Sequence, residues 1–191
     1  MAEIAVLEAV DNGLDAVILN PVGVVGPNDF GPSRMGSMLL RLAHGTLPGI
    51  VHGGFYWVDV RDVAQAGLSA TTHGVCGERY IIWGQYVTIP QIADWVQACT
   101  ATPKPKFAAP LWLAHASAPL TEAWYRRKNM TPPYTRITLD VLRGHQSITS
   151  EKAVKALGFT PRPISTSVYD ALEWFASNGH FESGIRFTRP A

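Results

Sequence analysis

The residues that could do chemistry fall in four places. The first is Pro21-Val22-Gly23-Val24, where an apolar run, Ala16 to Leu19, breaks into proline and glycine. Pro21 removes a backbone donor and fixes φ, and Gly23 and Gly26 reach conformations that other residues resist. In open α/β sheets the carboxyl end of a parallel strand is where ligands bind. The second place is a helix start at Ser33, Arg34 and Ser37. Free N–H groups there favour an anion such as a cofactor phosphate, although an ordinary helix cap and a solvated arginine explain the same residues. The third is Tyr56, Trp83 and Tyr86 at strand ends, read either as walls of a small-molecule pocket or as core aromatics. The fourth is Asp59 and Asp62. They resemble a paired acid and base, but both sit at a helix start, where carboxylates satisfy free amides and suit the dipole. The structural role is the one expected of them.

Other chemistry is thinner. Trp112, Trp124 and Tyr125 either line or lid a pocket, or pack as a helical stripe. The six histidines show no ligand spacing, so no metal site is expected. Cys76 and Cys99 have no metal-type spacing either; one disulfide is the alternative to the expected reading, a reduced pair of small hydrophobes in a cytoplasmic protein. The 191 residues are 47% hydrophobic and 16% charged, enough for a real core. Net charge is +1 with no basic stripe, so no nucleic-acid partner is expected despite the cluster Arg126-Arg127-Lys128. No signal-type segment opens the chain. The longest apolar stretch, Phe107 to Leu120, is too short to span a bilayer and carries Pro110, His115 and Pro119, so no membrane partner is expected.

Positioning these residues calls for strands alternating with helices, an α/β chain. Ala2 to Val10 reads as a helix stopped by Asp11-Asn12-Gly13. Ala16 to Leu19 reads as a strand buried on both faces. Helical spacing follows over Met35 to His44, then short strands over Gly49 to His52 and Phe55 to Val58. Asp59 caps a helix from Val60 to Thr72, and Glu78 to Trp83 reads as another buried strand. Thr88 caps a helix to Cys99 with Pro90 in its first turn. A loop over Thr102 to Lys106 leads to a short strand, and Pro110 to Arg127 forms a helix kinked at Pro119. Met130 to Pro133 is a linker, and Thr135 to Leu142 a helix. A short helix, Ser150 to Leu157, is capped by Ser150 and stopped by Gly158. Pro161-Arg162-Pro163 is a rigid joint before an amphipathic helix, Ser165 to Asn178, with Val168, Leu172 and Phe175 on one face. Beyond Gly179 an extended, weakly ordered tail is expected.

Three runs carry a family resemblance. Leu19-Asn20-Pro21-x-x-Val24-Val25-Gly26-Pro27 resembles the segment after the catalytic helix of extended short-chain dehydrogenases/reductases. Phe55-Tyr56-Trp57-Val58-Asp59-Val60-Arg61-Asp62-Val63-Ala64 resembles their second signature. Ser150-x-Lys152-Ala153-x-x-x-Leu157-Gly158-Phe159-x-Pro161 resembles their Ser-x-Lys-Ala…Leu-Gly-Trp-x-Pro element. The order is right over residues 2 to 178, with the flavour of dihydroflavonol reductase-like and NAD-dependent epimerase/dehydratase proteins.

The resemblance implies the carboxyl-terminal part of a Rossmann-type parallel sheet with a smaller, mostly helical substrate domain. Residues 1–83 would hold the remaining strands and helices of the dinucleotide-binding domain, with a substrate-loop insertion near 26–54. Residues 84–191 would form the substrate domain. Pro21 would pack beside a nicotinamide ring, the backbone of Val22, Gly23 and Val24 would meet its carboxamide, and the strand would break there to free those amides. NAD or NADP would serve the intact family. The family's Gly-x-x-Gly-x-x-Gly loop has no counterpart in this sequence. The catalytic Tyr-x-x-x-Lys is absent too: Tyr56 is followed four residues on by Val60, and the pair would fall before residue 1. The expected function is therefore the substrate-binding half of an NAD(P)-dependent oxidoreductase on a carbonyl/alcohol pair, or of a sugar-nucleotide epimerase/dehydratase. Alone it should be inactive and bind no cofactor. The alternative is a non-catalytic interaction module, paired as a homodimer or with a missing amino-terminal half.

Overall fold

The computed structural model describes residues 2–127, 148–182 and 184–190. Helix α1 (Ala2–Asp11) ends where Gly13, at φ +97°, donates to the Val10 carbonyl. Strand β1 (Ile18–Pro21) follows, then β2 (Gly23–Val25), with Val22 alone between them. Helix α2 (Arg34–Ala43) leads to β3 (Ile50–Val51), β4 (Gly54–Asp59) and α3 (Val60–His73). Then come β5 (Arg79–Ile82), β6 (Gln85–Thr88), α4 (Ile89–Thr100), β7 (Ala108–Ala109) and α5 (Leu111–Arg127). The described chain closes with α6 (Glu151–Leu157) and α7 (Ile164–Ser177). The expected linker at 130–133 and helix at 135–142 lie outside the described residues.

Among the described residues three small sheets form. β1 pairs in parallel with β5, β2 in parallel with β4, and β3 in parallel with β7. β6, not anticipated from the sequence, pairs antiparallel with β4, Tyr56 opposite Tyr86. The reversal into it is tight: the Gly84 amide donates to the Trp57 carbonyl at 2.8 Å.

Two expectations about β1 need correction. The strand begins two residues later than the apolar run and continues through Pro21, so the chain does not open into a loop there. It steps from one sheet to the next across Val22. Nor is the strand buried on both faces: Ile18, Leu19 and Asn20 are half-buried and Pro21 is exposed. Among the described residues β1 has a strand neighbour on one side only, which leaves that proline at a tolerated edge position. β5 likewise alternates, with Arg79 and Ile81 exposed and Tyr80 and Ile82 buried. An apolar run shows what a strand can bury, and the neighbours present decide what it does bury.

Two apolar cores flank β4, whose alternation sends Trp57 to one and Val58 to the other. Trp57, Val87, Leu39, Ile92, Val168 and Leu172 share the first, under α2, α4 and α7. Tyr80, Ile82, Ala66, Ala70, Leu157 and Phe159 build the second, between β5, α3 and α6. Each core draws on both the earlier and the later part of the chain.

The helix ends follow their sequence signals with one exception. Thr88 and Gln91 form a capping box on α4, and the Ser33 hydroxyl accepts from the Gly36 amide on α2. Ser150 makes no side-chain cap; the Thr149 hydroxyl accepts from the Glu151 amide instead, at 3.1 Å. The tail is tied down rather than loose. The Thr188 amide donates to the Cys99 carbonyl at 2.7 Å, and Arg189 reaches Asp170 and Glu173 on α7. Phe181 and Phe187 pack against the first core.

Candidate functional site

β1 and β5 are parallel, so their carboxyl ends lie side by side, Pro21 opposite Ile82. Around these ends gather residues far apart in sequence. The Val22 amide donates to the Ile82 carbonyl at 3.3 Å. One residue on, Gly23 lies so close to β4 that an added Cβ would stand 3.0 Å from the Tyr56 carbonyl, which explains a glycine there. Trp83 leaves the end of β5 and meets Tyr56 edge-on, with ring centroids 5.0 Å apart. Tyr56 meets Tyr86 in the same way at 5.3 Å. The three aromatics singled out as pocket walls thus form one half-buried cluster beside Val22 and Gly23.

The backbone is less free than a broken strand would leave it. Val22 has its acceptor, and Gly23, Val24 and Val25 run in register with Trp57, Val58 and Asp59. Among the described residues β2 is the outer strand of its sheet, with no strand paired on the flank turned away from β4.

One polar atom in the cluster stands out. Trp83 Nε1 is shut off from solvent and has no hydrogen-bond partner. Trp57, fully buried, donates its own Nε1 to the Val87 carbonyl at 3.2 Å. A buried donor left unmet costs about 1–3 kcal/mol. Sequence could mark Trp83 as an aromatic at a strand end, but not that its nitrogen lacks an acceptor.

A second strand-end feature lies at the carboxyl ends of β2 and β4. A cavity of about 160 Å³ is lined by Val24, Gly26, Asp29, Val60, Ala171 and Phe175, among others. Gly26 sits at φ +152° with Val60 Cγ1 only 2.6 Å from where a Cβ would be. Both oxygens of Asp29 accept from the Ser33 amide, at 2.8 and 2.9 Å. This carboxylate occupies the anionic position at the start of α2. The Ser37 hydroxyl, four residues into the helix, donates to the Pro32 carbonyl at 3.0 Å, and Arg34 is exposed. Asp29 was not anticipated from the sequence; its signal was an Asn-Asp pair in a loop just before a helix.

Asp59 and Asp62 are buried, and both are fastened structurally. Asp59 caps α3 and holds Arg61 with both oxygens, and Arg61 bridges on to Asp170 of α7 at 2.6 Å. Burial alone would push the Asp59 carboxyl up; the Arg61 guanidinium and backbone amide outweigh it and hold it below the ordinary carboxylate range. At Asp170 burial likewise pushes the carboxyl up, and Arg189 and Arg61 outweigh it and hold it below the ordinary range. Asp62 accepts from both the backbone and the Nε of Arg162, at 2.9 and 2.8 Å. These carboxylates clamp the 161–163 joint and α7 onto α3.

Trp112 and Trp124 are exposed, and Trp124 meets Tyr125 edge-on at 4.9 Å. Cys76 is exposed and Cys99 buried, with no disulfide between them, and burial pushes the Cys99 thiol up to about 11. No described helix is long and apolar enough to cross a membrane.

No family model matches the chain. It is similar to sterol demethylase protein B of Methylococcus capsulatus, with 36% identity over 176 residues, covering 91% of this chain and 53% of that protein. It is also similar to a provisionally named dihydroflavonol 4-reductase of Synechocystis, with 32% identity over 193 residues, covering 95% of this chain and 54% of the relative. Among solved structures, a nucleoside-diphosphate-sugar epimerase from Pseudomonas aeruginosa shares the fold, with a TM-score of 0.75 and 24% identity over 95% of this chain and 54% of its own. The chain spans about half the length of the curated relatives it matches. Sequence likeness and Rossmann-type α/β fold agree: the chain belongs to the extended short-chain dehydrogenases/reductases, with the NAD-dependent epimerase/dehydratase and dihydroflavonol reductase-like proteins.

Proposed function

We propose that this chain supplies the nicotinamide-facing backbone and the substrate wall of an NAD(P)-dependent oxidoreductase acting on a carbonyl/alcohol pair. The observation that carries it is the convergence at the carboxyl ends of β1 and β5. There Pro21, Val22 and Gly23 lie beside the Tyr56, Trp83 and Tyr86 cluster. Residues 1–83 serve the dinucleotide side and 84–191 the substrate side, with α6 returning to pack on β5. Pro21 and the Val22–Val24 backbone border the nicotinamide ring. The Ser37 hydroxyl reaches a cofactor phosphate by turning its hydrogen away from the Pro32 carbonyl. An aromatic wall favours an uncharged ketone or aldehyde over a sugar nucleotide.

Hydride transfer needs a donor ring held against the substrate carbon and a proton source at the carbonyl oxygen. The chain's own residues can border the ring and the substrate. Its sequence holds neither the Gly-rich loop nor the Tyr-x-x-x-Lys pair, so the 191 residues alone bind dinucleotide weakly and turn nothing over. Nicotinamide mononucleotide at millimolar concentration should shift the amide resonances of Val22, Gly23 and Val24, while NADPH with an aryl ketone should show no loss of absorbance. Silent amides at those positions, or turnover by the chain alone, would each defeat the reading.

A second reading, a non-catalytic interaction module, is favoured by one observation: β1 lacks a strand neighbour on one side among the described residues. An unpaired edge invites pairing with another chain. Sedimentation of the chain at micromolar concentration separates the two, since a self-pairing module runs as a dimer.

A further inference from the structure

Helix α5 is apolar on two sides, and the protein covers one of them. Ala114 and Ala118 are buried in the first core, and Leu111 packs against it. On the outward side Trp112, Leu113, Ala116, Pro119, Trp124 and Arg127 are exposed. Trp112 is 67% exposed and Trp124 50%. Twelve residues separate them, about 18 Å along the axis at ~1.5 Å per residue. Just before the helix, Phe107 is exposed beside an exposed Lys106. A helix that is apolar all round belongs in an apolar setting, and a large exposed apolar face marks an interaction site.

We propose that α5 is an interfacial helix that lays Trp112, Leu113 and Trp124 into an anionic lipid surface, with Lys106 and Arg127 on the headgroups. Charge selects this partner. Between residues 101 and 127 the sequence holds Lys104, Lys106, Arg126 and Arg127 against one acid, Glu122. The whole chain is only +1, so its basic excess is gathered around this helix and the remainder is net acidic. The cations stand before the helix start and at its end. A second copy laid along this face, in either direction, would set cation against cation, which disfavours self-pairing. An anionic bilayer meets both ends with opposite charge. Tryptophan suits the boundary, having an apolar body and a polar N–H. Such a helix lies on the membrane and does not cross it, so the length that excludes a spanning segment does not exclude this one. This role is independent of the one proposed for the strand ends.

The test sediments the whole 191-residue chain with vesicles of phosphatidylcholine alone and of phosphatidylcholine mixed with phosphatidylserine. The mixed vesicles should bind it about tenfold more tightly, and high salt should remove that gain. Trp112→Ser with Trp124→Ser should weaken binding to the mixed vesicles about tenfold. Lys106→Glu with Arg127→Glu should abolish the preference for phosphatidylserine. All four side chains are exposed, so thermal melts of the variants should match the parent's. Brominated phosphatidylcholine in the mixed vesicles should quench tryptophan emission of the parent chain, a readout that needs no variant. Absence of binding or quenching with mixed vesicles, or binding indifferent to the tryptophan pair, overturns the proposal. A dimer that forms without vesicles and comes apart in Trp112→Ser with Trp124→Ser makes a second copy the occupant and overturns it too. So does acrylamide quenching in the vesicle-free chain that is the same with and without the two tryptophans, since segment 128–147 of the chain would then cover the face.

Discussion

Asp59 shows how a residue can look catalytic and be structural. It is fully buried, caps α3 and grips Arg61 with both oxygens. Removing one partner of a buried ion pair leaves the other uncompensated and costs about 3 kcal/mol or more. Arg61 is partly exposed, so the lower end applies, and Asp59→Asn should lower Tm by roughly 6–12 °C in a chain of this size. The pH dependence has a definite sign. Asp59 and Asp170 are both held below the ordinary carboxylate range in the folded protein. Their contribution is therefore fully present above the unfolded value, about 3.9, and is lost as pH falls through the lower, folded one. Thermal melts from pH 7 to pH 2 should show a steep acid loss that is shallower in Asp59→Asn. Equal slopes would mean that the clamp does not couple to stability.

The start of α2 is crowded around Gly36. A Cβ at Gly36 would stand 2.0 Å from Asp29 Oδ2 and 2.9 Å from Phe175 Cζ. Gly36→Ala should thus cost about 1–3 kcal/mol by overpacking, even though alanine is the better helix former. Asp29→Ala removes the nearer obstacle at the expense of the Ser33 amide bond. The double substitution should be less destabilising than the two single costs added together. Chemical denaturation of the four proteins measures this, and strict additivity would show that Asp29 is not the obstacle. The same terminus, with its hydroxyl caps and Asp29, accounts for most of the polar chemistry that the sequence suggested for an anion.

At the scale of the whole molecule, order is uneven. The core around Trp57 is closed by α2, α4 and α7, while α1 contains no buried residue although Ile4, Val6, Leu7 and Val10 lie along it. Glu3 tethers it to Asn20 and Arg79, on β1 and β5. Local opening is cheap where little apolar surface is buried. Amide hydrogens of α1 and β1 should exchange orders of magnitude faster than those of β4, α4 and α7. Uniform protection would show that α1 is held by more than its polar tethers.

The sequence by itself determined most of the described helices and several of their ends, because a cap needs only residues three or four apart: Asp59, Thr88 and the stop at Gly158 are local facts, while the cap expected of Ser150 does not form. It also determined the family, through three short runs in order. It did not determine β6, because Gln85-Tyr86-Val87-Thr88 becomes a strand only against the edge of β4. Nor did it determine the burial of β1, which depends on neighbours on both sides. The strand extended through Pro21 because its partner, β5, lies sixty residues away, and register is settled between strands and not within one. Tertiary structure alone brought Val22, Tyr56, Trp83 and Tyr86 to one place and left one indole nitrogen without an acceptor, since whether a hydrogen bond is missing depends on every atom around the donor.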